Sequence, residues 1–110
     1  MDKKSQTRLK KRKELFAKQK KERGWDDSET WSLDHSLAKI ILPRLKRFKE
    51  LTNGYPSNET EESWNEKIDS MIFSFEFYAT EPWGNHSKQL YKKVQKGLNL
   101  FAKYYGHLWW

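Results

Sequence analysis

The sequence predicts an all-α fold. It reads as a small antiparallel bundle of three core helices, the first kinked at a proline, preceded by a basic arm that is either helical or disordered. Three observations carry this reading. Apolar residues recur every three or four positions in three separate segments, which places them on one face of a helix. Glycine and proline fall mostly between those segments, where they act as breakers. Positive charge is concentrated at one end. Residues 1–23 hold eleven Lys/Arg against three acids, and the remaining residues hold eleven against twelve.

The arm, residues 1–23, contains neither Gly nor Pro and is rich in helix formers. Its apolar content is a thin stripe from Leu9 to Phe16. Like charges repel along it, so it is expected to fray unless it docks on a partner. Gly24 ends it. Residues 24–32 read as a linker in which Trp25 and Trp31 tuck against the core as a lid, the competing reading being a stacking surface.

The first core helix is expected over 32–53, capped by Thr30 or Ser32, with Asp34 in its first turn. Its apolar face is Leu33, Leu37, Ile40, Ile41, Leu45 and Phe48. Pro43 removes one hydrogen bond and crowds the preceding turn, which predicts a kink near Leu42 or two short helices meeting there. Asn53-Gly54 and Tyr55-Pro56 form the turn that follows. The second core helix is expected over 59–80, with Asn58 and Glu61 as a capping box and Thr60 as the competing cap. Trp64, Ile68, Met71, Ile72, Phe75, Tyr78 and Ala79 form its main stripe, while Phe73 and Phe77 form a second one. A helix with two apolar faces is either central in the fold or touching another chain. The last helix is expected over 88–109, capped by Ser87. Its apolar face is Leu90, Val94, Leu98, Phe101, Tyr105 and Leu108, with Lys88, Lys92, Lys96 and Lys103 opposite. The closing Leu108-Trp109-Trp110 is expected to dock.

Composition narrows the function classes. The absence of cysteine excludes a disulfide framework and a thiolate metal site. No apolar run is long enough to span a bilayer, and the charged N-terminus lacks the apolar stretch of a secretory signal. The arm also lacks the aromatic face of an interfacial helix, so no membrane partner is expected. Nucleophile-elbow, phosphate-loop, dinucleotide and zinc-helix motifs are all missing. His35, His86 and His107 are not spaced as metal ligands. Neither an enzyme nor a cofactor is expected.

The basic segment is either a solvated, solubilising tail or the site of an anionic partner, nucleic acid or a nucleic-acid-bearing host complex, held by Lys10, Lys11, Arg12, Lys13, Lys18, Lys20, Lys21 and Arg23. The lysines of the last helix, together with Lys39, Lys46, Arg47 and Lys49, would extend that footprint. The alternative is an oligomeric sponge for a nucleotide second messenger, with a pocket of Arg44, Arg47, Trp31 and Trp83. Arg44 has a competing structural role, pairing with Asp69 or Glu76 to fix helix register. A third reading is a direct protein inhibitor. A homo-oligomer is expected from the high aromatic content, six Trp among 110 residues, with Phe73, Phe77, Trp109 and Trp110 at its interface.

Four blocks resemble a group of small, uncharacterised bacteriophage proteins. They are WSLDHSLAKIILPRLKRFKE (31–50), NGYP (53–56), EESWNEKIDSMIFSFE (61–76) and GLNLFAKYYGHLW (97–109). The shared pattern is Trp-x-x-Asp, then Pro-Arg-Leu, then Gly-Leu-x-Leu-Phe-x-Lys-Tyr, and residues 1–23 lie outside it. The resemblance implies a viral accessory protein in the cytoplasm of an infected bacterium, of a kind that often acts against host defence. It implies no activity and no functional residue.

Overall fold

The computed structural model describes residues 2–80 and 84–110. Four α-helices follow one another: α1 Lys3–Arg23, α2 Leu33–Leu51, α3 Glu61–Ala79 and α4 Lys88–Tyr104. Short 3-10 turns at Asp27–Thr30 and Tyr105–His107 accompany them, and there is no strand among the described residues. The fold is all-α. Among the described residues, no helix is long and apolar enough to cross a membrane. The chain divides into two compact units, Met1–Ser36 and Leu37–Trp110, with the division falling inside α2.

In the first unit, α1 is a formed helix with both ends capped. Asp2 accepts a hydrogen bond from the Ser5 amide at 2.7 Å. Gly24 closes the other end in the left-handed region at φ 87°, donating its N–H to the Lys20 carbonyl. Lys20, Lys21 and Arg23 in the last turn suit the negative end of the helix dipole. The segment expected to be a plain linker contains a 3-10 turn closed by a capping box, in which Asp26 and Glu29 satisfy each other's backbone amides. Trp25 and Trp31 are not a buried lid, being 45% and 67% exposed.

The second unit is centred on α3. Thr60 caps this helix with Ser63 as its reciprocal partner, so the helix starts at Glu61 and Asn58 takes no part in the capping box. Trp64, Ile68, Met71, Ser74 and Phe75 are buried along it at the three-and-four spacing of a helical stripe. Each large apolar side chain so buried contributes about 1.5–3 kcal/mol. α4 runs antiparallel to α3: Trp64 meets Tyr104, Ser74 meets Val94 and Phe77 meets Tyr91. α3 and α4 also approach each other more closely than either approaches α2.

The close approach has an identifiable cause. Gly97 of α4 faces Ser70 and Ser74 of α3, and a Cβ at Gly97 would stand 2.2 Å from the Ser70 carbonyl oxygen. The absence of a side chain at this position lets the two backbones come together. Ser74, buried among apolar groups, donates its hydroxyl to the Val94 carbonyl at 2.6 Å, which satisfies its polar atom.

α2 meets the core through Ala38 and Leu45, both buried, with Ile41, Leu42 and Phe48 partly buried beside them. Leu33, Leu37 and Ile40, expected on the core face, are 45–50% exposed. The contact face is rotated toward the small Ala38, because a wide apolar arc on a helix does not specify which of its edges packs. α2 is a single helix through Pro43, not two short ones. Pro43 is exposed, so the carbonyl it leaves without a partner, that of Lys39, is on a solvated side. α4 ends at Tyr104, five residues before the expected end, in a 3-10 turn. Leu108 packs on the core, but Trp109 and Trp110 are 74% and 67% exposed instead of docked.

Candidate nucleic-acid interface

α1 presents its cations in two groups. One face is held by the turn that follows the helix. Gln19 and Asp27 exchange two hydrogen bonds, Nε2 to Oδ2 at 2.8 Å and the Asp27 amide to Oε1 at 2.9 Å. Arg23 donates to Asp27 Oδ1 at 2.6 Å and to the Trp25 carbonyl at 3.0 Å. The Gln19 amide and then the Arg23 guanidinium hold the Asp27 carboxyl below its ordinary value. The Arg23 guanidinium also lies 3.7 Å from the Trp25 ring centre. Trp31 packs edge-on to Phe16 at 5.6 Å, with Arg12 at 5.8 Å from its ring.

The lysines from Lys10 to Lys21 form the second group. Lys10, Lys11, Lys13, Lys18, Lys20 and Lys21 are all exposed. Lys18 pairs loosely with Glu22 at 4.0 Å, both side chains being well solvated, and such a pair holds little. Among the described residues, Lys10, Lys11, Lys13, Lys20 and Lys21 form no ion pair. At about 100° and 1.5 Å per residue, Lys10 and Lys21 share one side of the helix about 16 Å apart, and Lys11 and Lys18 flank that side. α1 buries none of its residues, so its outer surface is free to meet a polyanion.

The two arginines of the alternative pocket are engaged within α2. Arg44 donates to the Ile40 carbonyl at 2.7 Å, beside the gap left by Pro43. Arg47 pairs with Glu50 at 2.7 Å. The register pairs assigned to Arg44 in the sequence reading belong to lysines instead: Lys49 meets Asp69 at 2.7 Å and Lys46 meets Glu76 at 3.8 Å. The proline-weakened turn offers Arg44 a nearer acceptor in its own helix. Trp31 belongs to the first unit, and Trp83 lies outside the described residues.

Phe73 and Phe77 are half-buried and have partners in their own chain. The Lys93 ammonium lies 4.0 Å from the Phe73 ring centre, and His86 and Tyr91 pack edge-on to Phe77. His86 is partly covered by these rings. Trp109 and Trp110 wall a groove of about 270 Å³ together with Tyr55, Pro56 and His107. No group of three metal-ligating side chains comes together among the described residues.

One functional feature escaped the sequence reading, the Gln19–Asp27–Arg23 clamp; its signal was an acid a few residues beyond a helix-ending glycine. The lysine face of the last helix was legible, and α4 carries five lysines and no acid. No known protein family, no curated protein and no solved structure matches the chain.

Proposed function

We propose that this protein binds nucleic acid, or a host complex that carries nucleic acid, and catalyses no reaction on it. The observation that supports this reading most is the outer surface of α1, where Lys10, Lys11, Lys13, Lys20 and Lys21 are exposed and have no carboxylate partner among the described residues. Each cation placed on a phosphate releases condensed counterions, so binding is strong at low salt and falls steeply as salt rises. α1 offers few groups suited to reading bases, which makes this contact one of backbone and charge. On this reading the second unit is the body of an antiparallel three-helix bundle, bent at Pro43, that carries the arm. The setting is that of a bacteriophage accessory protein acting against host defence.

The test is fluorescence anisotropy of a labelled duplex over a salt series, comparing the unaltered chain with K10Q/K11Q/K13Q/K20Q/K21Q. The variant is expected to lose affinity and to flatten the slope of log affinity against log salt by about 0.9 per lost contact. Equal affinity and an equal slope in the two proteins would remove the proposal.

A further inference from the structure

We infer a second nucleic-acid surface on the outward face of α4, in which lysines hold the phosphates of duplex DNA and an amide pair meets the base edges. At about 100° per residue, Lys88, Lys92, Lys96 and Lys103 fall within an arc of about 80°, with Gln95 and Asn99 inside or bordering it. All six are exposed. The opposite side of the helix is buried through Val94, Gly97 and Tyr104, so the arc faces away from the body. None of the four lysines forms an ion pair among the described residues. Gln95 Nε2 donates to Asn99 Oδ1 at 2.9 Å, which places the two amides side by side along the helix axis.

This combination is more specific than a solvated lysine face. A solubilising face generally mixes signs, because Glu–Lys pairs four apart support an exposed helix. α4 has none, and its first turn, capped by Ser87, lacks the acid that the dipole would favour there. The positive end of the dipole is left available to a phosphate. The four lysines extend over about 22 Å of helix, and the major groove of B-form DNA admits one α-helix. Asn and Gln are the side chains that pair with adenine in that groove. The deep, narrow major groove of duplex RNA excludes them, so the surface selects DNA. Gly97 and Ser74 seat the helix firmly, which keeps the arc in place without a partner.

The inference stands apart from the role assigned to α1, and the full chain distinguishes the two. Anisotropy is measured on A·T-rich and G·C-rich duplex DNA and on duplex RNA, each over a salt series. K88Q/K92Q/K96Q/K103Q is expected to lower the salt slope on DNA by about 3 to 4 and to weaken binding at least tenfold at low salt. Q95A/N99A is expected to keep the slope and to lose the preference for A·T-rich DNA. Unchanged circular dichroism keeps both variants interpretable, since every altered side chain is exposed. If the α4 lysine variant binds as the unaltered chain does while K10Q/K11Q/K13Q/K20Q/K21Q loses binding, the α4 surface is refuted and α1 stands. The reverse pattern supports α4 and removes α1. Binding of duplex RNA as tight as that of DNA, with the same dependence on α4, overturns the groove assignment.

Discussion

Gly97 lies so close to Ser74 that a Cβ on the glycine would stand 1.9 Å from the serine Oγ and 2.8 Å from its Cβ. The Ser70 carbonyl is part of the same crowding, so rotation of one side chain cannot relieve it. Gly97→Ala is therefore expected to force α3 and α4 apart and to destabilise the protein by about 1–3 kcal/mol, despite the better helix propensity of alanine. Urea unfolding checks this. Ser74→Ala alone is expected to cost about 1 kcal/mol through the lost bond to Val94. The double variant should cost less than the sum, since one of the clashing atoms is gone.

The pair of Glu59 and Lys67 should be asymmetric to mutation. The Glu59 carboxylate is shielded from solvent, and the Lys67 ammonium is its counter-charge. Lys67→Met leaves that carboxylate uncompensated and is expected to lower Tm clearly. E59L/K67M, which removes both charges, should recover much of the loss.

The same pair fixes the sign of an alkaline transition. Its hydrogen bond to Glu59 raises the Lys67 amine above its ordinary 10.5. Its contribution is complete below that value and is lost as pH rises through the higher folded-state value. Urea midpoints from pH 9 upward are expected to fall more in the unaltered chain than in E59L/K67M.

Asp27 gives the opposite sign at acid pH. Its carboxyl is held below the ordinary 3.8, by Gln19 first and Arg23 second. The clamp it supplies is present above that value and is released as pH falls through the lower folded-state value. Asp27→Ala should release it at any pH, seen as faster amide exchange at the C-terminal turn of α1, with exchange in α3 unchanged.

Pro43 interrupts the hydrogen-bond ladder of a helix that continues through it. Pro43→Ala restores one donor and is expected to stabilise the chain by up to about 3 kcal/mol, read as a higher urea midpoint. Arg44→Ala should cost more stability in the unaltered chain than in the alanine variant, because the arginine supports the carbonyl next to the gap.

The parts of the fold that were legible in the sequence are those set by local periodicity. The stripe through Trp64, Ile68, Met71 and Phe75 could be read from spacing, and these are the residues that α3 buries. Ser87 as a cap and Gly24 as a stop were equally local. The rest depends on residues far apart in sequence. Nothing in the α2 pattern says that Ala38 faces inward and Ile40 outward, because that depends on where α3 lies. Thr60 prevailed over Asn58 because Ser63 was there to reciprocate. In the candidate interface, the charge of α1 was plain from composition. Which of its cations are committed was not, because that depends on how Asp27 folds back onto Gln19 and Arg23.

The placement of the indoles has an optical consequence. Of the five tryptophans among the described residues, only Trp64 is enclosed, while Trp25, Trp31, Trp109 and Trp110 are 45–74% exposed. Intrinsic emission should therefore already be red-shifted in the native protein and should change little when the core melts. Among the described indoles, a shift of that emission on adding a ligand would originate at Trp25, Trp31, Trp109 or Trp110, whereas a shift on heating would originate at Trp64.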